Sequence, residues 1–344
     1  MDVIIAGFSD ASRWVKDLIN EVSRRASAKV SADEELHRIV VRTKDIIPVV
    51  RSPGIDRAAE AYEADKEPKS IAKKVVKALR EMEDKLDVTI TKYRLELHAG
   101  DYKLFDLITR EVFSQASYRA SPESPYVVYV DVIKPGAYVY TERIYGPGGL
   151  PMGVAGNAIA LISGSIDSFV AAYMGMRRGF RIVGFYPILT LRGKSLLNRV
   201  ERLASNIDET FIIKPFDLID DYQELLEEIQ NIGLEDYAGI ALKLRIIRRM
   251  ALEANKLGIK NIIIGDVLMQ SPTQTPKMIR AENIIASESK VHLFRPILTS
   301  TNSEILKRAE FLDLENAKDP IDLPAPRKVD DDTLKILMET ILGL

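Results

Sequence analysis

The stretch Asn157–Arg178, NAIALISGSIDSFVAAYMGMRR, decides how the rest of the chain is read. Ala158 to Ile162 is an apolar run of strand length. Ser163-Gly164-Ser165-Ile166-Asp167-Ser168 then breaks the run with small polar residues. Phe169, Ala172, Tyr173 and Met176 follow at i, i+3, i+4, i+7, the spacing of one helix face. A strand, a tight polar turn and a helix start aim unpaired backbone N–H groups at one point, where an anion can sit. Gly164 permits close backbone approach, and the serine hydroxyls add donors. The stretch lacks the Gly-x-x-x-x-Gly-Lys-Ser/Thr of a Walker loop and the G-x-G-x-x-G of a dinucleotide fold. On the residues alone, a plain strand-to-helix turn and a phosphate cradle both stay open.

SGSIDS resembles the SGGxDS pyrophosphate loop of the N-type ATP pyrophosphatases. Those enzymes cut ATP between the α and β phosphates and adenylate a substrate. The resemblance implies ATP and Mg2+ as cofactors. It sets Ser163, Gly164, Ser165, Asp167 and Ser168 around the pyrophosphate, with Asp167 as metal ligand and catalytic carboxylate. Ser165 replaces the family's second glycine, and its Cβ is expected to crowd the phosphates or force a different backbone angle.

At 344 residues the chain has room for two or three domains. Hydrophobic residues make up 46% and charged residues 28%, a globular composition. The net charge of −2 excludes a whole-chain basic field, so a nucleic-acid surface must be a local patch. No apolar run approaches the roughly 18 residues of a membrane span. MDVIIAGFSD has neither the basic region nor the cleavage-type tail of a signal peptide, and a cytoplasmic protein without a membrane partner is expected. The absence of cysteine excludes disulfides, cysteine-ligated zinc, iron–sulfur clusters and covalent sulfur chemistry on the chain itself. His37, His98 and His292 are scattered, with no pair at metal-ligand spacing.

In chain order, residues 1–55 read as a small α/β unit. Val3-Ile4-Ile5 is a strand candidate, and Ser9 or Asp10 can cap a helix with Trp14, Val15, Leu18, Ile19 and Val22 on one face. His37 to Arg42 is a second strand and Lys44 to Arg51 a short helix. Residues 56–145 form a second unit, with a strand at Arg57 to Tyr62 and an amphipathic helix at Lys69 to Lys85. That helix has Ile71, Val75, Leu79 and Met82 on one face and Lys73, Lys74, Lys77 and Arg80 on the other. Such a basic face either meets water or binds an anionic partner. Val88 to Leu97 alternates as a strand and carries Lys92 and Arg94. A helix at Tyr102 to Phe113 and two strands, Tyr126 to Ile133 and Ala137 to Ile144, complete a sheet backed by helices. Tyr145 to Gly156 holds five glycines and two prolines, and residues 146–156 are read as a linker.

Residues 157–312 alternate strands and helices, which predicts a parallel sheet. Further strands are expected at Arg181 to Tyr186, Glu209 to Ile213 and Asn261 to Ile264. Helices are expected at Ser195 to Ala204, Leu218 to Glu228, Tyr237 to Leu257 and Glu304 to Phe311. Arg245, Arg248 and Arg249 face either phosphates or water. The loop Gly265–Thr275, GDVLMQSPTQT, leaves a strand end, where open α/β sheets bind ligands. Residues 313–344 read as an extended segment through Asp319-Pro320, then a helix at Thr333 to Leu342 packed through Leu334, Ile336, Leu337 and Ile341. Asp330-Asp331-Asp332 is read as charge at that helix's N-terminus rather than a metal site.

VYTERIYGPGGLPMGVAG, followed by a strand and SGSIDS, is similar to the domain junction of the 4-thiouridine synthase family (ThiI). The resemblance runs over almost the whole chain. It implies an α/β fold: a ferredoxin-like N-terminal unit, an α+β THUMP domain that binds RNA, and a parallel-sheet, adenine-nucleotide alpha-hydrolase-like (PP-loop) domain. Gly265, Leu268, Gln270, Gln274 and Thr275 match the family's Gly-Glu-Ser-Leu-Gly-Gln-x-x-Ser-Gln-Thr loop, and Arg295-Pro296-Ile297-Leu298 matches its Arg-Pro-Leu-Ile. By resemblance Gly265 and Gln274 join the ATP site, and Gln270, Thr275 and Arg295 serve the substrate or phosphates; for Arg295 a core carboxylate is the other reading. Lys73, Lys74, Lys77, Arg80, Lys92 and Arg94 then become RNA-binding residues, with tRNA as partner and a homodimer sharing it.

The implied reaction is adenylation of uridine-8 in tRNA, then displacement of AMP by a sulfur nucleophile. Departures are visible. The family's Gly-Glu-Ile…Lys-Gly opening is not seen. Asn302 stands where the family places a lysine, and no cysteine occurs near Ala325 to Arg327. There is also no rhodanese domain, so sulfur must come from free sulfide or a partner's persulfide. Two functions follow: an active ATP-dependent sulfurtransferase fed by an external donor, or a degenerate member that binds tRNA and nucleotide without thiolation. A small-molecule ATP pyrophosphatase is disfavoured by the THUMP-like unit.

Overall fold

A computed structural model describes residues 3–99, 103–319, 323–326 and 328–343, and the chain forms two compact units, Met1–Val154 and Ala155–Leu344. Tyr102, Pro320 and Arg327, on which expectations rested, lie outside the described residues. Among the described residues no helix is long and apolar enough to cross a membrane.

The first unit runs β1 (Ile4–Gly7), α1 (Val15–Ala26), β2 (Val30–Asp33), β3 (Arg38–Val41), α2 (Ile47–Val50), β4 (Arg57–Glu60), β5 (Tyr62–Ala64), α3 (Pro68–Leu86), β6 (Lys92–His98), α4 (Lys103–Ala116), β7 (Arg119–Ala120), β8 (Val127–Ile133), β9 (Gly136–Tyr140) and β10 (Ile144–Tyr145). Two five-stranded sheets result, in the orders β10-β4-β1-β3-β2 and β5-β9-β8-β6-β7. The first is antiparallel throughout. In the second, β6 lies parallel to β7 and β8, the arrangement that the helical crossover α4 permits. On α3, Ile71, Val75 and Leu79 are fully buried and the basic residues face out, as its periodicity predicts.

Three expectations are corrected here. Ser9 makes no side-chain cap, because a 3-10 turn, Asp10–Trp14, leads into α1 instead. The expected strand at Arg57 to Tyr62 is two strands, with β4 paired to β1 and β5 paired to β9. The step from one sheet to the next therefore falls at Ala61, not at residue 55. The glycine-rich stretch is also not free at its start. Gly146 and Gly148 donate to the carbonyls of Asp56 (3.0 Å) and Ile55 (2.8 Å), extending the β10–β4 pairing. A Cβ on Gly146 would lie 2.4 Å from the Ile55 carbonyl oxygen, so glycine is required by close approach.

A buried charge ties this unit together. Asp131 is fully buried; its Oδ2 accepts from Arg38 Nε at 2.9 Å and Tyr140 Oη at 3.0 Å, and its Oδ1 lies 2.8 Å from His98 Nδ1. Burial pushes its carboxyl up, but His98 and Arg38 outweigh that and hold it below the usual value. A depressed carboxylate contributes stability above its unfolded value, about 3.9, and loses it as the pH falls through the folded value. Asp131→Asn is therefore expected to unfold in less urea at pH 7, by about 3 kcal/mol, with a smaller gap to the parent at pH 3. An equal gap at both pH values would remove the charge from this account.

The second unit runs β11 (Asn157–Leu161), α5 (Ile166–Arg177), β12 (Arg181–Ile188), α6 (Leu191–Ser195), α7 (Leu197–Ile207), β13 (Ile212–Asp217), α8 (Ile219–Asn231), α9 (Ala238–Lys256), β14 (Asn261–Ile263), α10 (Pro276–Glu288), β15 (His292–Phe294), α11 (Asn302–Phe311) and α12 (Asp331–Leu342). Its sheet is wholly parallel, in the order β13-β12-β11-β14-β15. The central strand β11 buries Ala158, Ile159 and Ala160, and α5 packs on it through Phe169, Ala172 and Met176. Both the parallel sheet and its opening strand–turn–helix agree with the sequence reading.

Differences are local. The strand expected at Glu209 to Ile213 starts later, because Asp208 forms a turn, accepting from Thr210 N at 2.8 Å. β13 is an edge strand, which is why Pro215 is tolerated in it. The helix expected at Ser195 to Ala204 is split into α6 and α7. α10 had no expectation at all. Its start is set by Thr275, whose Oγ1 accepts from Met278 N at 3.3 Å, and by Pro276 in the first turn. On α12, Asp330 caps through Thr333 N, in line with the helix-charge reading of the acidic triplet, but Ile336 is exposed and does not pack.

Candidate functional site

The C-terminal ends of β11, β12 and β14 open into a cleft of about 520 Å3, a volume suited to a nucleotide-sized ligand. Ser163, Ser165, Asp167 and Ser168 line one wall; Gly265, Gln270 and Gln274 line another. The two loops singled out in the sequence thus meet at one site. Parallel strands with the β11–β14 adjacency produce this, since both loops leave the same sheet end.

Gly164 has φ +81°, and a Cβ there would lie 2.4 Å from the Ala317 carbonyl oxygen. Both the backbone angle and the space demand glycine. Ser165 has φ −79° and ψ 151°, an ordinary extended conformation, so the substituted glycine forces no unusual backbone angle. Its Oγ lies 2.9 Å from Ser163 Oγ, and Ser168 Oγ donates to the Ser165 carbonyl at 2.7 Å. At the start of α5 the Ile166 N–H is held by Asn316 Oδ1 at 3.1 Å.

Gly265 lets the β14 end abut the first turn of α5: a Cβ would lie 2.8 Å from the Asp167 carbonyl oxygen. This contact sets Asp167 against the second loop. Burial pushes the Asp167 carboxyl up, and a hydrogen bond from Gln270 and the charge of Lys318 oppose the shift. Gln270 Nε2 also donates to Asn302 Oδ1 at 3.1 Å. The residue at the lysine position of the resembled family thus orients the amide that holds Asp167. Met269 has φ +64°, a left-handed angle at the position where the resembled loop has glycine. The Gln274 side-chain carbonyl is buried at the cleft wall and has no hydrogen-bond partner among the described residues.

Arg295 is not free to meet a phosphate. Its Nε and Nη2 bond Asp266 Oδ2 (3.1 Å) and Glu282 Oε2 (2.7 Å), and Nη1 bonds Asn283 Oδ1 (2.9 Å). Of its two sequence readings, the core carboxylate is the one observed. Lys243 completes the cluster, 2.8 Å from Asp266 Oδ1, 2.7 Å from Glu282 Oε1 and 2.7 Å from the Thr273 carbonyl. Burial pushes Asp266 up, yet Lys243 and Arg295 outweigh it and hold the group below its usual value. Glu282 is driven above its usual value by burial, with Asp266 adding to the shift. Two cations thus brace the 265–275 loop from below. Thr275 serves as the α10 cap. Arg245 and Arg249 pair with Asp221, and Arg245 also with Glu228, so neither faces phosphate.

The basic residues named in the first unit fall into two sets. Lys73, Lys77 and Arg80 are exposed along α3, with Lys74 half-buried beside them; Lys77 lies 4.3 Å from the Tyr62 ring centroid. Lys92 and Arg94 share one face of β6, and Arg94 Nε pairs with Glu96 at 3.2 Å. The sequence reading missed Lys243, Glu282, Asn316 and Lys318. Only an apolar periodicity over 276–288 could have flagged Glu282, as a charge on a buried helix face.

Residues 153–318 match the family model described as thiamine biosynthesis protein (ThiI). The chain is 27% identical over 324 residues to a probable tRNA sulfurtransferase of Thermococcus kodakarensis, covering 87% of this chain and 82% of that protein. It is 30% identical over 189 residues to a probable tRNA sulfurtransferase of Methanocaldococcus jannaschii, covering 55% of this chain and 49% of that protein. In fold it is similar to a 4-thiouridine synthetase solved in complex with RNA and bound ATP, with a TM-score of 0.78, 16% identity, and coverage of 99% of this chain and 97% of that one. Residues 153–318, which hold the cleft, thus match a ThiI domain, in a chain similar over most of its length to a probable tRNA sulfurtransferase and, in fold, to a 4-thiouridine synthetase.

Proposed function

We propose that this protein is an ATP-dependent tRNA-modifying enzyme that adenylates a uridine and lets an external sulfur donor displace AMP. The observation that carries this reading is the cleft itself. It combines the serine-lined turn at the start of α5, a half-buried carboxylate at Asp167 that is short of cationic partners, and an unpartnered acceptor on Gln274. A phosphate chain, a metal ion and a base amino group are the matching ligands.

Mg2+ would be held by the half-buried Asp167 carboxylate together with substrate phosphates, the usual way this ion is bound beside a phosphate chain. When bound it supplies charge neutralisation of the phosphate chain. The chain's own residues do the positioning. Ser163 and Ser165, joined by one hydrogen bond, leave one hydroxyl hydrogen for the phosphates; Ser168 holds the turn through the Ser165 carbonyl, Gln270 orients Asp167, and Gln274 accepts from the base. The uridine oxygen then bonds the α-phosphorus as the bond to pyrophosphate breaks. A sulfur nucleophile next bonds the activated carbon as AMP leaves. Alignment and electrostatics account for the rate.

Incubation with ATP, magnesium, sulfide and unmodified tRNA tests this, reading AMP release and thiouridine absorbance. Both signals are expected. AMP without thiouridine would mean that sulfur delivery needs a partner's persulfide. Tight tRNA binding with no AMP would favour the second reading, a binding-only member, for which the neutral Asn302 at the family's lysine position speaks. For the RNA surface, the triple variant Lys73→Ala, Lys77→Ala, Arg80→Ala is expected to weaken tRNA binding. It should also flatten the log–log salt dependence by about two, each lost phosphate contact removing roughly 0.7–0.9. An unchanged slope in filter binding would take α3 out of the interface.

A further inference from the structure

We propose that Lys318 is the side chain that neutralises the phosphate chain of the bound nucleotide, delivered into the cleft by a strap formed from residues 315–319. This rests on the nucleotide-binding reading above and adds to it a residue outside both recognised loops.

Two lysines line the cleft, Lys243 and Lys318. Lys243 Nζ donates to Asp266 Oδ1 and the Thr273 carbonyl and lies 2.7 Å from Glu282 Oε1. Its charge is matched by two carboxylates under the loop, which hold it away from a ligand. Arg295 is committed in the same way. Lys318 has no ion pair among the described residues and is exposed, yet its charge reaches the Asp167 carboxylate. It is the cleft-lining cation with its donors to spare.

Its backbone is held in place. Ala317 N donates to the Gly164 carbonyl at 2.7 Å, and a Cβ on Gly164 would lie 3.0 Å from Lys318 Cα. The strap therefore rests directly on the turn proposed to carry phosphate. On one side, Asn316 Oδ1 takes the Ile166 N–H, and Glu315 pairs with Arg199 (2.8 Å) and Arg202 (2.7 Å). On the other, Asp319 accepts from Thr190 Oγ1. A flexible lysine rooted at a fixed point over the turn reaches a phosphate as a mobile point charge. It supplies the ammonium that neutral Asn302 lacks.

The test compares ATP, AMP and adenosine binding to the full chain, with magnesium, for the parent, Lys318→Met and Lys318→Arg. Lys318→Met is expected to weaken ATP about 10- to 100-fold, AMP less, and adenosine not at all, with Lys318→Arg close to the parent. A role in holding the fold would weaken all three ligands alike. Equal ATP affinity in parent and Lys318→Met overturns the assignment while the nucleotide reading stands. A parent that binds none of the three ligands overturns both. Unfolding of Lys318→Met at the parental urea concentration shows that the fold is intact.

Discussion

Asp167→Ala is expected to cut AMP release by about 100- to 1000-fold while tRNA binding stays at the parental level. The carboxylate sits in the first turn of α5, half-buried, with burial raising its pKa and only the Gln270 amide and the charge of Lys318 in opposition. A carboxylate in that state gains more from a bound cation than an exposed one does. On the proposed reading, losing it removes the anchor for the metal at the point where phosphate charge builds up. The first unit, with its basic α3 face, is untouched by the change. Asp167→Asn keeps the shape and the bond to Gln270 and is expected to be nearly as inactive, because charge is what the site needs. AMP formation by Asp167→Ala at the parental rate would remove this residue from the chemistry.

Glu282→Ala is expected to lower the unfolding free energy by about 3–5 kcal/mol, read from urea denaturation followed by fluorescence. Glu282 is fully buried and contacts both Lys243 and Arg295. Removing it leaves two buried cations facing Asp266 alone, and the uncompensated charge sets the size of the loss. A second effect follows from geometry. Lys243 also holds the Thr273 carbonyl, so the 265–275 loop loosens and ATP affinity falls even though Glu282 contacts no ligand. A Glu282→Ala chain within about 1 kcal/mol of the parent would show that the cluster is dispensable. Glu282→Gln tests the same point more gently, since it keeps a hydrogen-bond acceptor for Arg295 while removing the charge.

Much of the second unit was legible because its signals are local. An apolar strand of five residues, a small polar turn and a 3.6-period apolar face need no tertiary information to be read. The regular alternation of strands and helices carried the parallel sheet with it. The same holds for α3, whose buried and exposed faces match its sequence period. Resolving Arg57 to Tyr62 was harder. Its residues favour a strand throughout, and only partners far along the chain divide it at Ala61 between two sheets. Arg295 shows the limit for charged residues. A lone arginine after a strand reads equally as a phosphate ligand or an ion-pair partner. Glu282, which decides between them, lies on a helix that the sequence reading did not expect.

By itself the sequence determined the parallel sheet, the turn at Ser163–Ser168, the loop at Gly265–Thr275 and the likeness to the ThiI family, because each is written in consecutive residues. Only the tertiary structure decided that both loops share one cleft, that Arg295 and Lys243 are consumed in bracing it, and that residues 315–319 cross the turn with Lys318 free of an ion pair among the described residues. The physical reason is that a charge takes its role from the partners within a few ångströms of it. Here Lys243 and Arg295 find their carboxylates on other elements, and the strap that carries Lys318 meets the turn from 150 residues along the chain, as Asn316 does for Ile166.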